Sequence, residues 1–515
     1  MRRSSLAGLH GIIFVLLVLL LLLAPVPVGS NRPFFWEANA VAVSAMAFVY
    51  LSSVARQPDR LRLPLAEFKW PLILGLLSTV WMLVQIVPLP VELFAPQIWT
   101  DAGIALEADV WRRISLDTAA TSLMLLNYIT YGFLFFLCAQ ITVNDVRAHR
   151  FMQALFAIIT VHAGVGIFLL FQLGDTLLFL PKWTYQGVAT GFFVNRNSFA
   201  TFLAFGLAIG SSLLVNAIIP RQRGGQNRPL REIFRLDNAL IAVAGYGAGL
   251  AVIGSALVLS ASRMGAFVGL IGLIMPVLLG VVRAPSRRRS GLAIVVVILL
   301  VVLLLLLLSG GALTERFGSQ EAQQDLRWPL FVQTIGMILH RPFSGFGGGT
   351  FEDAFAIYHR LPLSADVVWD RAHNLYLELF ADLGVFALGV LAASGYVIWR
   401  IARGLYRRTP SAAPVAAVTV ATIAAVHSLV DFSLQIQAVV FIFVAVLAAG
   451  YAQVVGDYDA DRQERLEVAR PRPAKAGEAG PFVAGGSNQP PVSGVHAGSH
   501  LAHSNGGVAF GDARL

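Results

Sequence analysis

Four short clusters of charged and polar residues interrupt an otherwise apolar chain, and their residue types suit the handling of an anion. The first is Asn195-Arg196-Asn197-Ser198, at the start of a long apolar run. Helix N-terminal amides together with a guanidinium suit a phosphate. A plainer reading has Asn195 or Asn197 capping the helix while Arg196 reaches toward water. The second cluster is Ser262-Arg263-Met264-Gly265, a tight turn between two apolar runs. Gly265 permits close helix packing, and Arg263 falls where a lipid headgroup would lie; simple linkage of two helices is the alternative. The third, Arg341 to Thr350, contains Gly345, Gly347, Gly348 and Gly349. Successive amides in such a loop can form an anion nest, but no Gly-Lys-Ser/Thr follows, so it is not a nucleotide-binding phosphate loop. Glycine-rich turns are common, and this one identifies nothing by itself. The fourth is Asp370-Arg371-Ala372-His373-Asn374, running on to Glu378. A histidine at a helix start is often a cap, yet beside Arg371 and Asp370 it also suits general acid/base work near neutral pH. Further on, His427 and Asp431 form an i, i+4 pair, with Asp431 placed to orient or charge-balance a site residue.

Several chemistries are disfavoured by what is missing. There is no His-Glu-x-x-His metal motif, no Gly-x-Ser-x-Gly elbow and no dinucleotide fingerprint. The one cysteine, Cys138, lies in an apolar run, which rules out a disulfide framework or a Cys-based metal site.

The elements that must position these clusters follow from composition. Of 515 residues, 57% are hydrophobic and 13% charged, more apolar surface than one water-soluble core can hide. The expected fold is an all-α polytopic integral membrane protein. Runs of roughly 18–25 nearly uncharged residues match helices crossing about 30 Å of hydrocarbon. About twelve such spans are predicted by this length rule: His10–Pro27, Glu37–Ala55, Trp70–Leu89, Thr118–Ile141, Phe151–Phe171, Asn197–Ile219, Asn238–Ser260, Met264–Val282, Gly291–Leu308, Asn374–Arg400, Ala412–Asp431 and Leu434–Val454. Arginine and lysine collect in alternate loops, as after the second span (Arg56, Arg60, Arg62, Lys69), the fourth (Arg147, Arg150) and the tenth (Arg403, Arg407, Arg408). That bias places both termini in the cytoplasm and the four clusters on the opposite side. It also accounts for the net charge of +9 without nucleic acid as a partner. The first span, preceded by Arg2 and Arg3, also fits a secretory signal but is expected to be a retained anchor.

Two outward segments exceed simple connections, Pro90–Asp117 and Ser309–His373, the second a large loop between the ninth and tenth spans. Inside it, Leu326, Leu330, Thr334 and Met337 recur at helical spacing, with Phe331, Ile335 and Ile338 alongside, which predicts a short amphipathic helix between Arg327 and Arg341. It is too short to span and is expected on the outer membrane surface or over a cavity. A membrane domain of residues 1–455 is thus followed by a tail, 456–515, rich in Gly, Pro, Ser, Ala and His and expected to be disordered. His496, His500 and His503 within it are read as bystanders.

In this order and topological placement, Asn195-Arg196-Asn197, Ser262-Arg263, the run from Arg341 to Gly347 and the run from His373 to Glu378 resemble the O-antigen ligase and polymerase family. The resemblance covers residues 195–431 best and the first spans only by layout. It implies a glycosyltransferase of the bacterial inner membrane that takes a glycan from an undecaprenyl diphosphate donor at the periplasmic face, with no metal, cofactor or nucleotide sugar. Ligases pass the glycan to a lipid A–core or similar glycolipid acceptor; polymerases extend another lipid-linked chain. Carried onto this chain, the resemblance implies that Arg196 and Arg263 bind the donor diphosphate. It gives His373 the task of activating the acceptor hydroxyl or helping the diphosphate leave. Asn195, Asn197, Ser262, Arg341, Gly345, Gly347, Arg371 and Asn374 are the expected substrate-binding residues around them, and the expected reaction is a single inverting displacement. Residue chemistry alone leaves a transporter of an anionic lipid or sugar open. Transporters place ionisable residues near the midplane, whereas here they gather at the outer boundary, which favours the transferase.

Overall fold

The computed structural model describes residues 8–88, 95–178, 180–218, 238–283, 326–407 and 411–469. Their regular structure is helical apart from one two-residue antiparallel ladder, β1 (Thr176–Leu177) with β2 (Leu180–Pro181). The helices are α1 (Leu9–Leu23), α2 (Pro33–Arg56), α3 (Lys69–Ile86), α4 (Gln97–Leu106), α5 (Thr118–Thr142), α6 (Asp145–Gln172), α7 (Arg196–Ile218), α8 (Asn238–Leu259) and α9 (Arg263–Arg283). After them come α10 (Arg327–His340), α11 (Phe351–Tyr358), α12 (Leu375–Leu383), α13 (Ala387–Arg407), α14 (Ala412–His427) and α15 (Gln437–Ala469). Several starts are written locally. Pro33 opens α2, where its missing N–H is no loss. The Asp117 carboxylate accepts from Ala119 and Ala120 at the head of α5, and Asn144 accepts from Arg147 at the head of α6.

Among the described residues, nine helices are long and apolar enough to cross a membrane, and two shorter apolar ones, α1 and α14, accompany them. The molecule is an all-α, polytopic membrane protein. Eleven of the expected spans therefore meet an apolar helix, while the expected ninth, Gly291–Leu308, lies outside the described residues, as do residues 309–325 of the large loop. The predicted amphipathic helix is α10. Two expectations change in detail. Asn374–Arg400 is not one continuous helix: α12 ends at Gly384, whose φ of +57° opens a single 3₁₀ turn before α13 begins. A side chain at Gly384 would stand 2.4 Å from the Phe343 carbonyl oxygen, so the break exists where the glycine-rich loop presses on this helix. At the other end, α15 continues to Ala469, beyond the boundary at residue 455. Residues 470–515, with the three tail histidines, lie outside the described residues. The chain divides into units of residues 1–463 and 464–515, the described part of the second being helical.

Helix α7 is the centre of the first unit. Nearly all of it is buried, and it packs against α6, α8, α9 and α14. Its approach to α9 is set by Gly265, where a Cβ would lie 2.4 Å from that of Ala200. Small residues at such contacts let backbones approach closely, the main source of attraction between helices in lipid. A second apolar cluster, including Leu330, Met337, Phe346, Phe351 and Phe355, lies beneath the 326–373 segment and gives it a core of its own. The rings of Phe351 and Phe355 stack 5.3 Å apart.

Candidate functional site

The head of α7 is tied to two distant segments through one amide. The Asn195 side chain accepts from the Asn197 backbone N–H at 2.7 Å, closing the turn into the helix. That is the capping role the sequence allowed for it, and it frees the Asn197 side chain to face elsewhere. Its Oδ1 accepts from Ser262 Oγ at 2.8 Å and its Nδ2 donates to Asp431 Oδ1 at 3.2 Å. Ser262 in turn accepts from the Gly265 N–H at 3.1 Å, so one hydroxyl caps α9 and links it to α7. Arg196 and Arg263, each the first residue of its helix, are thereby brought to the same end of the bundle and lie within electrostatic reach of each other.

Two further residues join them that sequence reasoning did not single out for chemistry. Arg327, the first residue of α10, lies within electrostatic reach of Arg196, His373 and His427. In the sequence it had served only to mark the edge of an amphipathic helix; an arginine at a helix start inside the large loop was the available signal. Tyr185 lies face-on to Arg196, the guanidinium carbon 5.3 Å from the ring centre. Burial raises the Tyr185 pKa, keeping it a neutral phenol. The loop that carries it is fastened by the Lys182–Asp175 ion pair and by Lys182 Nζ donating to the Val188 carbonyl at 2.7 Å. Nothing in the local sequence around Tyr185 announced this placement.

His373 is held by its neighbours on both sides. The buried Glu378 carboxylate takes a hydrogen bond from Arg371 Nη1 at 3.1 Å and one from the Ala372 N–H at 2.9 Å. Burial works against the Arg371 charge, but the Glu378 carboxylate more than offsets this and raises its pKa. After His373, Asn374 caps α12 by accepting from Tyr376 and Leu377, and its Nδ2 donates to the Leu429 carbonyl at 3.0 Å. Arg371 and Asn374 therefore make protein contacts that fix the loop. Between them His373 adopts φ = +51°, a left-handed conformation costing a non-glycine residue about 1–3 kcal/mol and typical of functional sites. Its ring stands edge-on to Phe432, 5.1 Å between centres. Burial lowers the His373 pKa; Asp431 and Asp370 pull it up, and Arg327 and Arg371 push it down. At neutral pH the imidazole is unprotonated, the form that accepts a proton.

Asp431, suspected from sequence as an orienting carboxylate, is 1% exposed and sits within a hydrogen-bonded chain. Its second oxygen accepts from Ser433 Oγ, Thr201 Oγ1 reaches Ser433 Oγ at 2.9 Å, and His427 Nδ1 pairs with Thr201. One consistent order of hydrogens runs from His427 through the two hydroxyls to the carboxylate. The i, i+4 pair is thus joined through α7 and the turn after α14, not directly.

The glycine-rich loop has other business. Its amides donate in succession to the Arg341, Ala381 and Asp382 carbonyls, to Gln85 Oε1 and to Asp382 Oδ2, from Gly345 through Gly349. The donors an anion nest would need are engaged by protein. Gly345, at φ = +64°, would place a Cβ 2.3 Å from the Asp382 carbonyl oxygen, and Gly347 would meet Ser115. Arg341 donates to Ser344 Oγ and the Gly345 carbonyl, both at 3.3 Å, and lies over the Phe346 ring. The loop is thereby knitted to α12, to α3 through Gln85 and to Ser115 ahead of α5; the structure does not draw Arg341, Gly345 and Gly347 into the group formed by Arg196, Arg263, Arg327 and His373.

No curated protein matches the chain. Residues 248–392 match the family model described as O-Antigen ligase. The matched segment contains Ser262, Arg263, Arg327, Arg341, Arg371, His373 and Asn374, whereas Asn195, Arg196, Asn197 and Asp431 lie outside it and reach the site only through the fold. Over this segment the chain is similar to the O-antigen ligase family.

Proposed function

We propose that the protein transfers a glycan from an undecaprenyl diphosphate donor to a lipid A–core or similar glycolipid at the periplasmic face of the bacterial inner membrane. The observation that carries this reading is the convergence of Arg196, Arg263 and Arg327 with a neutral, buried-edge His373 at one end of the bundle. Three guanidiniums answer the charge that grows on a departing diphosphate, and preorganised charges of this kind often dominate catalysis. His373 takes the proton of the acceptor hydroxyl, the acceptor oxygen bonds to the anomeric carbon, and the bond from that carbon to the diphosphate oxygen breaks. The pair of electrons leaves on the diphosphate, and the anomeric configuration inverts. Asn197 and Ser262 act by holding the heads of α7 and α9 in register, and Glu378 by holding the His373 loop. The alternating basic loops support a periplasmic site with both chain termini in the cytoplasm.

The test supplies purified protein with a lipid-linked glycan and either a lipid A–core acceptor or a second lipid-linked glycan. Wild type is compared with Arg196→Ala, Arg263→Ala and His373→Ala. Transfer to lipid A–core that the substitutions abolish is the expected result. Chain extension instead makes the protein a polymerase, and donor binding without either reaction moves a transporter to the front. Products that retain the donor anomeric configuration exclude the single displacement.

A further inference from the structure

Helix α10 wears its apolar side outward. Leu330, Thr334 and Met337 are buried against the protein. Trp328, Val332, Ile335 and Leu339 recur at intervals of four, three and four residues on the other side, the two ends of the stripe 73% and 71% exposed. Every exposed residue from 328 to 339 is apolar. The nearest polar flank, Gln333, is occupied by two hydrogen bonds with the Arg360 backbone. Phe343 extends the exposed apolar surface just beyond the helix. Fourteen residues at about 1.5 Å each make some 21 Å, too short to cross the hydrocarbon. A transmembrane role therefore does not explain the stripe, and apolar surface of this continuity marks a contact.

What lies at the head of the stripe narrows the occupant. Arg327 immediately precedes Trp328 and stands within electrostatic reach of Arg196, Tyr185 and His373. A soluble anion would match the positive charge around Arg327 and leave the stripe bare, and a neutral apolar partner would do the reverse. An amphiphile with an anionic headgroup and a long hydrocarbon chain satisfies both. We infer that the outward face of α10 seats the hydrocarbon chain of the lipid-linked donor, its anionic headgroup at the Arg327 end and its chain along Trp328, Val332, Ile335 and Leu339. This inference rests on the reading above that the arginines hold a diphosphate. The stripe then sets chain-length selectivity, because a chain of one or two isoprene units cannot reach Ile335 and Leu339, about 12–18 Å along the axis.

Binding of undecaprenyl diphosphate and of geranyl diphosphate to the full-length protein in nanodiscs separates the two halves of the site. Ile335→Asp and Leu339→Asp force a carboxylate against the chain; Ile335→Ser and Leu339→Ser are milder versions that guard against misfolding. Expected is a loss of about tenfold in undecaprenyl diphosphate affinity, smaller for the serines, with geranyl diphosphate binding held within about twofold. Retained geranyl diphosphate binding also shows that the fold is intact. Equal weakening of both ligands by the serine variants, or of neither by any variant, overturns the chain seat and leaves α10 to the bilayer or to another part of the protein. Wild type that binds neither diphosphate overturns the headgroup reading on which the inference rests. Arg263→Ala should weaken both ligands alike; if it weakens neither while Ile335→Asp still discriminates, the chain seat stands and the headgroup assignment falls.

Discussion

Asn197 Nδ2 lies 3.2 Å from Asp431 Oδ1, joining residues 234 positions apart in the chain. This hydrogen bond fixes the head of α7, and with it Arg196, against the turn whose carboxylate faces His373. Because Asp431 is buried, its charge is tolerated only while Asn197, Ser433 and the hydroxyl chain behind them donate to it. The same amide also receives Ser262, so one side chain sets the relative positions of both arginine-bearing helix heads.

Asn197→Ala removes a donor from a buried carboxylate and an acceptor from Ser262. A loss of about 1–3 kcal/mol in stability is expected, seen as a lower thermal midpoint in detergent, with transfer falling more steeply than stability because α7 and α9 lose register. An unchanged midpoint and unchanged transfer would show the link to be idle.

Arg263→Ala should lower transfer by about 10²–10³-fold, the scale of removing one preorganised charge from a transition state. Arg263→Lys should recover part of it, since a point charge replaces a fork. A measured effect confined to KM, with kcat intact, would mean that the arginine binds the donor without favouring its departure.

His373 supplies a pH signature. Its pKa lies below the ordinary 6.5 because of burial, so the base form persists as the pH falls through 6.5 and kcat/KM should decline only on the acid side of that value. Asp431 raises this pKa; Asp431→Asn removes the pull while retaining an oxygen for Asn197 to donate to. The acid limb should then move to still lower pH. A shift toward neutrality would mean that a different group controls the limb.

Glu378→Gln keeps the side chain's shape but discards the charge that holds the guanidinium and leaves one acceptor oxygen where Arg371 and Ala372 donate to two. A destabilisation of about 1–3 kcal/mol is expected, along with weaker transfer through a loosened His373 loop. A double-mutant cycle with Arg371→Gln should show coupling between the two; additive effects would place the contribution of Glu378 in the Ala372 hydrogen bond alone.

Gly345→Ala must force an L side chain into φ = +64° and against the Asp382 carbonyl oxygen. Destabilisation exceeding about 1 kcal/mol is expected, with affinity for the diphosphate moved less than by Arg263→Ala. The reverse order, with little loss of stability and a large loss of diphosphate affinity, would restore a direct anion-binding role to the loop.

Most of the architecture was written in local composition. A run of about twenty uncharged residues must be helical in lipid, because every backbone N–H and C=O needs a partner inside the segment. The ends of α2, α5, α7 and α9 therefore fell within a few residues of expectation. The interruption at Gly384 escaped notice because its cause is 41 residues away, at the Phe343 carbonyl. Arg196, Arg263 and His373 were legible because charge at the membrane boundary is costly and so conspicuous. Arg327 and Tyr185 were hidden, the one inside an ordinary amphipathic pattern, the other in a loop without periodicity.

By itself, then, the sequence determined that the chain is a helical membrane protein and which ionisable residues stand at the ends of its apolar runs, since hydrophobic length and charge are properties of each segment alone. Only the tertiary structure decided what each polar residue does there. Asn195, Arg371, Asn374, Gly345 and Gly347 have the same chemistry in sequence as ligand-binding residues would. In the folded protein Asn195 Oδ1 closes the turn into α7, Arg371 pairs with Glu378, Asn374 caps α12 and reaches the Leu429 carbonyl, and the Gly345 and Gly347 amides donate to the Arg341 and Asp382 carbonyls. Packing, which no single segment encodes, brings Leu429 and Asp382 within reach.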